Sequence, residues 1–130
     1  MKVYIVRHGE VPHNVLKMYN NENEELTDNG IMQALELRDK IKDIKFDMVI
    51  SSPLLRTIHT ENILTYYDDS IITDDRLSER DCGDLSGKPN ECTNREEYWN
   101  YYTEIQYGTS ENIQEFFKRV YNFFTRKTCK

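Results

Sequence analysis

Near its N-terminus the chain reads Lys2-Val3-Tyr4-Ile5-Val6-Arg7-His8-Gly9-Glu10. The apolar and β-branched residues predict a short buried strand over Lys2–Arg7 that stops at Gly9. In α/β folds, ligands bind beside the carboxyl ends of the strands. The stretch therefore predicts a ligand site at the end of the first strand.

The residues at this strand end suit phosphoryl transfer. A neutral imidazole nitrogen of His8 can attack phosphorus and form a covalent intermediate. The guanidinium fork of Arg7 matches the oxygens of a phosphoryl group, and Gly9 lets the backbone come close to it. A lone histidine at a strand end more often packs without function, so the prediction depends on the rest of the chain.

Strands and helices alternate along the remaining sequence. This alternation predicts an α/β fold with three layers, in which helices flank a mainly parallel sheet. We expect residues 1–130 to form a single domain. Capping residues, apolar spacing and extended runs predict helices from Thr27 or Asp28, over Leu54–Tyr66 and over Ile113–Arg126, and strands at Phe46–Ile50 and Ser70–Thr73.

Two further segments carry charged residues suited to the same chemistry. Ser51-Ser52-Pro53-Leu54-Leu55-Arg56 opens a predicted helix, whose first-turn amide groups favour an anion beside Arg56. In the loop Leu77–Gly87, the carboxyl group of Glu79 could protonate a leaving oxygen and later deprotonate water. Either residue alone is more often ordinary surface, but together with His8 they predict one phosphoryl site.

Four segments follow one another in order: Arg7-His8-Gly9-Glu10, Leu26-Thr27-x-x-Gly30-x-x-Gln33-Ala34, Ser51-Ser52-Pro53-Leu54-x-Arg56-x-x-x-Thr60 and Leu77-x-Glu79-Arg80-x-x-Gly83-x-Leu85-x-Gly87. In this order they closely resemble the histidine phosphatase superfamily, the branch that contains phosphoglycerate mutases and small phosphatases. The resemblance implies a phosphoglycerate mutase-like fold. It also implies no metal or organic cofactor, because arginine and histidine side chains stabilise the charge in this family.

The resemblance implies roles for six residues of the site. They are the phosphohistidine nucleophile His8, the general acid/base Glu79, the phosphate-binding residues Arg7, Asn14 and Arg56, and the substrate-binding residue Arg80. Two other histidines, His13 and His59, match no catalytic position, and we interpret them as incidental polar residues.

The chain departs from the family pattern after its last predicted helix. Family members carry a second catalytic histidine in a late Val-x-x-(Ser/Thr)-His-Gly segment, on a strand beside the first strand. Without that segment the site lacks one donor, which typically costs about 10²–10³ in rate, and the first strand exposes an apolar edge. We therefore expect the domain to be incomplete at its C-terminus, as a truncated enzyme or a natural remnant with weak activity.

Three functions are compatible with these features. The favoured one is hydrolysis of a small phosphomonoester through phospho-His8. A phosphoglycerate mutase is the alternative, although the stretch after Glu79 leaves little room for the long insertion of the mutases. A non-catalytic protein that binds phosphate esters is the third. The aromatic stretch Tyr98–Tyr102 is compatible both with a lid over the site and with half-buried helix surface.

Composition limits the partners and the compartment. The net charge of -6 argues against general binding of nucleic acid or anionic membranes. The apolar run Val3–Val6 is too short for a signal peptide or a membrane span. Three cysteines, Cys82, Cys92 and Cys129, form no Cys-x-x-Cys pair and are typical of a reducing cytosol. We expect a cytoplasmic protein with a small phosphorylated substrate, and an oligomer is compatible with the exposed edge.

Overall fold

A computed structural model of the protein describes residues 2–68 and 70–127. Cys129 and the other residues that follow position 127 lie outside the described residues. The α/β prediction is confirmed, since helices accompany two strands that pair in parallel. In chain order the elements are α1 (Pro12–Leu16), α2 (Asp28–Ile41), β1 (Ile50–Ser51), α3 (Leu55–Thr65), β2 (Ile72–Thr73), α4 (Arg95–Tyr98) and α5 (Ile113–Lys127), with 3₁₀ turns at Asp75–Leu77, Gly83–Leu85 and Asn90–Cys92.

The first predicted strand is the main correction. Residues 2–7 form no strand, and their side chains are exposed; that of Ile5 is 85% exposed. Among the described residues this segment has no backbone hydrogen bond to a neighbouring strand, and its apolar side chains stay exposed although the Tyr4 ring contacts that of Phe46, with 5.4 Å between centroids. The predicted burial of the strand Lys2–Arg7 is therefore wrong. The exposed side chains agree with the apolar edge that the sequence analysis also expected at this segment.

Helix α2 begins where the sequence predicts. The hydroxyl of Thr27 caps the helix by accepting a hydrogen bond from the Gly30 N–H at 3.0 Å. The helix packs on α3. Between and beside the two helices lies a core cluster of Val11, Leu26, Ala34 and Ile63. This packing also determines where the segment after His8 runs, because Val11 belongs to the same core.

Both strands are shorter than predicted. Of the predicted strand Phe46–Ile50 only Ile50 belongs to β1, which extends instead to the buried Ser51. Ile50 and Ser51 pair in parallel register with Ile72 and Thr73 of β2. The chain leaves β1 directly into α3, so the end of the strand delivers Arg56 to the first turn of that helix.

A second core holds the segment that contains Glu79. It is built from the side chains of Tyr19, Cys82, Leu85 and Tyr98. Helix α5 contacts the 3₁₀ turn Asp75–Leu77, just ahead of Glu79. The helix buries Ile113 and Phe123, whereas Phe117 and Phe124 are exposed.

Candidate active site

His8 lies in the turn between residues 2–7 and α1. Its Nδ1 is 2.7 Å from the carbonyl oxygen of Gly9. A carbonyl only accepts, so Nδ1 carries the hydrogen, and Nε2 keeps its lone pair in the neutral ring. Burial lowers the pKa of His8, and the charges of Arg56 and Arg7 lower it further, although the bond to Gly9 and the charge of Glu79 oppose them. The site thus favours the neutral ring that a nucleophile requires.

The loop of His8 is tied to α3. The Gly9 N–H donates to the Thr60 hydroxyl at 3.0 Å, and that hydroxyl donates to the Arg56 carbonyl at 2.8 Å. Residues four apart lie on one face of a helix, so the spacing Arg56-x-x-x-Thr60 puts Thr60, which binds the loop, on the same side of α3 as Arg56. Gly9 also packs on Gly30, where a Cβ on either glycine would collide with backbone. The loop therefore needs glycine at both positions.

Arg56 is the most deeply buried charged residue described, with 1% of its surface exposed. Its Nη1 donates to the Asn21 carbonyl at 3.1 Å, and its Nη2 donates to Glu79 Oε2 at 3.0 Å. Its buried Nε has no acceptor among the described residues. A buried donor without a partner is unusual in folded proteins and is suited to a ligand oxygen.

Glu79 stands where two adjoining cavities meet. A cavity of about 510 Å³ is bordered by Arg7, His8, Asn14 and Glu79. A cavity of about 560 Å³ is bordered by Arg56, Glu79 and Arg80. The side chain of Glu79 is partly exposed, which leaves it accessible to water and to a ligand. The six predicted site residues therefore line two cavities, and Glu79 lines both.

Asn14 is oriented by the start of α1. Its Oδ1 accepts a hydrogen bond from the Val11 N–H at 3.1 Å, as part of a capping arrangement. This bond engages the oxygen of the amide, so that the Nδ2 group is the end available to donate to a ligand. The geometry agrees with a donor to a phosphoryl group.

Arg7 and Arg80 differ from each other in their surroundings. Arg7 is exposed at the edge of the cavity that contains His8. Arg80 is only 2% exposed. Its Nε donates to the Glu111 carbonyl at 2.8 Å, its Nη1 donates to the Tyr98 carbonyl, and its guanidinium lies 3.9 Å from the centre of the Tyr98 ring. These bonds give Arg80 a structural role, and its contact with substrate stays a prediction.

The sequence interpretation missed a histidine in the cavity wall. His13 is buried, borders the cavity that contains His8, and pairs through Nδ1 with the carboxylate of Glu24. No local pattern announces this pair, because Glu24 lies in a loop with no regular spacing. In the stretch Tyr98–Tyr102, Tyr98 belongs to a core cluster, and both Tyr98 and Trp99 border the cavity that contains His8. A lid role for this stretch stays a prediction.

Within residues 2–68 and 70–127, no helix is long and apolar enough to cross a membrane. The same residues contain no cluster of three or more histidine, cysteine, aspartate or glutamate side chains that could hold a metal ion. The expectation of catalysis without a metal stays a prediction.

Fold and site together define an α/β protein in which a histidine, buried and exposed arginines and a shared carboxylate line two cavities. The chain belongs to the histidine phosphatase superfamily (branch 1), whose family model matches residues 3–128. This confirms the resemblance of the four sequence segments.

Individual relatives support the assignment. The chain is 32% identical over 120 residues to the uncharacterized phosphatase PhoE of Bacillus subtilis, covering 91% of this chain and 60% of the relative. It is 35% identical over 95 residues to the 2,3-bisphosphoglycerate-dependent phosphoglycerate mutase of Streptococcus mutans, covering 68% of this chain and 41% of the relative.

A solved structure shares the fold. The alpha-ribazole phosphatase from Shigella flexneri superposes with a TM-score of 0.82 at 27% sequence identity, covering 95% of this chain and 65% of that one. The chain therefore spans less than two thirds of the length of each of these three proteins.

Proposed function

We propose that residues 1–130 form a single phosphatase domain that hydrolyses a small phosphomonoester through a phosphohistidine at His8. The observation that carries the proposal is that His8, whose pKa is lowered by burial and by the nearby charge of Arg56, stands close to a guanidinium whose buried Nε lacks an acceptor among the described residues. The first group is suited to attack phosphorus, and the second is suited to hold an oxygen of the same phosphoryl group.

In the first step, Nε2 of His8 attacks phosphorus, and the bond from phosphorus to the leaving oxygen breaks. Glu79 in its protonated form gives its proton to that oxygen. Arg7, Arg56 and Asn14 donate to the remaining phosphoryl oxygens and stabilise the charge that develops on them. The products are an alcohol and phospho-His8.

In the second step, the Glu79 carboxylate removes a proton from water, and the resulting hydroxide attacks phosphorus. The bond from phosphorus to Nε2 breaks, which releases inorganic phosphate and restores neutral His8. Glu79 is protonated again and ready for the next cycle. A phosphoryl oxygen competes with Glu79 for Arg56 Nη2, so substrate binding releases the carboxyl group toward the leaving oxygen.

A phosphoglycerate mutase is a second candidate, favoured by the name of the Streptococcus mutans relative. Mutase turnover that depends on bisphosphoglycerate, exceeding hydrolysis, would favour the second candidate.

The proposal also includes a cytoplasmic location, in keeping with Cys82 and Cys92, which are free thiols.

The test is hydrolysis of p-nitrophenyl phosphate by the purified chain beside His8→Ala, with circular dichroism to show that both are folded. We expect activity in the first, none in the second, and an acid-labile phosphoryl label on His8 after rapid quenching. A folded chain that binds inorganic phosphate but never acquires the label would instead be a binding protein that lacks catalysis.

A further inference from the structure

Arg119 of α5 reaches the backbone of the segment that carries Glu79. Its Nη1 donates to the Ser78 carbonyl at 2.7 Å and to the Arg76 carbonyl at 3.0 Å. Its Nη2 donates to the Glu79 carbonyl at 3.1 Å. One guanidinium therefore binds three carbonyls within four successive residues, the last of which belongs to the proposed acid/base.

Glu111 holds Arg119 and continues the contact beyond Glu79. Its two carboxylate oxygens accept from Arg119 Nε at 2.6 Å and from Nη2 at 2.7 Å, which is a two-point pairing. Its backbone N–H donates to the Asp81 carbonyl at 2.9 Å, and its carbonyl accepts from Arg80. Arg119 thus braces the backbone up to Glu79, and Glu111 braces the backbone that follows.

This bracing matters because residues 79–82 belong to no helix or strand. A segment without regular hydrogen bonds takes its conformation from tertiary contacts, and a displacement of about 1 Å at a reacting group can cost roughly 10² in rate. The side chain of Glu79 is held separately, by Arg56 Nη2. We propose that Arg119, paired with Glu111, is a positioning residue that sets Glu79 for proton transfer to the leaving oxygen, an inference that rests on the proposed function.

Arginine is specifically suited to this position. A lysine keeps the positive charge beside Glu111, but its single ammonium group cannot reproduce a planar fork that binds three carbonyls and a carboxylate. Arg119→Lys therefore changes geometry at constant charge. Arg76→Lys is a matched control, since Arg76 also joins α5 to the same turn, donating to the Asn122 carbonyl at 3.2 Å, while its side chain makes no bond to Glu79 among those described.

The experiment compares kcat/KM for two substrates that differ in their need for an acid. The leaving group of 2,4-dinitrophenyl phosphate departs without protonation, whereas that of phenyl phosphate requires it. Both values report the first phosphoryl transfer, so the later hydrolysis of phospho-His8 does not enter. We expect Glu79→Gln to lose about 10²–10⁴ on phenyl phosphate and much less on the dinitrophenyl ester.

Arg119→Lys should show the same selectivity in weaker form, with a loss of about 10-fold to 100-fold on phenyl phosphate only. Arg76→Lys should affect both substrates equally. Glu111→Gln, which retains the shape of the side chain, serves as a second variant if Arg119→Lys does not fold. Equal losses on both substrates in Arg119→Lys, or in Glu111→Gln when that variant replaces Arg119→Lys, would overturn this inference and leave the proposed function standing. An inactive wild-type chain, or a Glu79→Gln variant without selectivity, would overturn the proposed function and the inference with it.

Discussion

The two sides of His8 are held in different ways. On the C-terminal side, the Gly9 N–H binds the buried Thr60 hydroxyl, and the backbone packs on Gly30, so that α2 and α3 both contact the loop. On the N-terminal side, Val3–Val6 form no strand and expose their side chains. The position of the proposed nucleophile thus depends on the residues that follow it more than on those that precede it.

The same contrast separates the two arginines of the site. Arg56 belongs to the braced side, buried at the start of α3 and bonded in two directions. Arg7 belongs to the exposed side. We expect changes on the braced side to be costly and changes on the other side to be mild.

The largest effect is expected for Arg56→Lys compared with Arg7→Lys. Lysine cannot replace the two-directional fork of Arg56, so its kcat/KM should fall by about 10²–10³. Arg7→Lys should lose less, because an exposed side chain can adjust its position. Steady-state hydrolysis of p-nitrophenyl phosphate measures both, and equal losses would mean that the two sides contribute alike.

Gly30→Ala should weaken the fold itself. The added Cβ would collide with the backbone at Glu10, and the loop of His8 would have to move away from α2. Overpacking of this kind typically costs about 1–3 kcal/mol in the free energy of unfolding. Urea denaturation followed by circular dichroism measures it, and an unchanged midpoint would show that the loop is not braced by α2.

The pH dependence of kcat/KM distinguishes the effect of the arginine charges on the pKa of His8 from the effect of the arginine geometry on the rate. The pKa of His8 is lowered by burial and then by the charges of Arg56 and Arg7, so the neutral ring persists to lower pH than in an unperturbed histidine. Arg7→Gln removes one of these charges, which raises that pKa and moves the acidic limb to higher pH.

Arg56→Lys is the control for this shift. It retains the charge near His8 and should leave the acidic limb in place despite its low rate. A limb that stays in place in Arg7→Gln, or that moves to lower pH, would contradict the assignment of this limb to His8.

The smallest effect is expected for Ile5→Ser. Ile5 is 85% exposed, and a surface substitution usually changes the free energy of unfolding by about 0.5 kcal/mol or less. The urea midpoint should therefore stay close to that of the wild type. A loss of about 2 kcal/mol would show that residues 2–7 are covered in solution and would remove the contrast between the two sides.

Sequence reasoning succeeded where the signal is local. The hydroxyl of Thr27 announces the start of α2, and the Ser51–Leu54 stretch announces the helix that carries Arg56 in its first turn. The order of four segments was enough to identify the family. The two helix signals lie within a few residues of the feature that they predict, and the family signal combines four such local segments.

Sequence reasoning failed where the partner is remote. Whether residues 2–7 are buried depends on a neighbouring strand that no residue within the segment specifies. The pair of His13 with Glu24 and the bond from Arg119 to Glu79 join positions 11 and 40 residues apart. Such contacts depend on the whole fold, so no spacing in the sequence predicts them.

The bond between Arg119 and the Glu79 carbonyl has a consequence for the order of events on the ribosome. A nascent chain already carries His8, Arg56 and Glu79 before α5 emerges, since Arg119 follows Glu79 by 40 residues. Until then, the segment of Glu79 lacks its brace, and closing the intervening loop carries an entropic cost. The proton donor Glu79 can therefore take its final position only after α5 has docked.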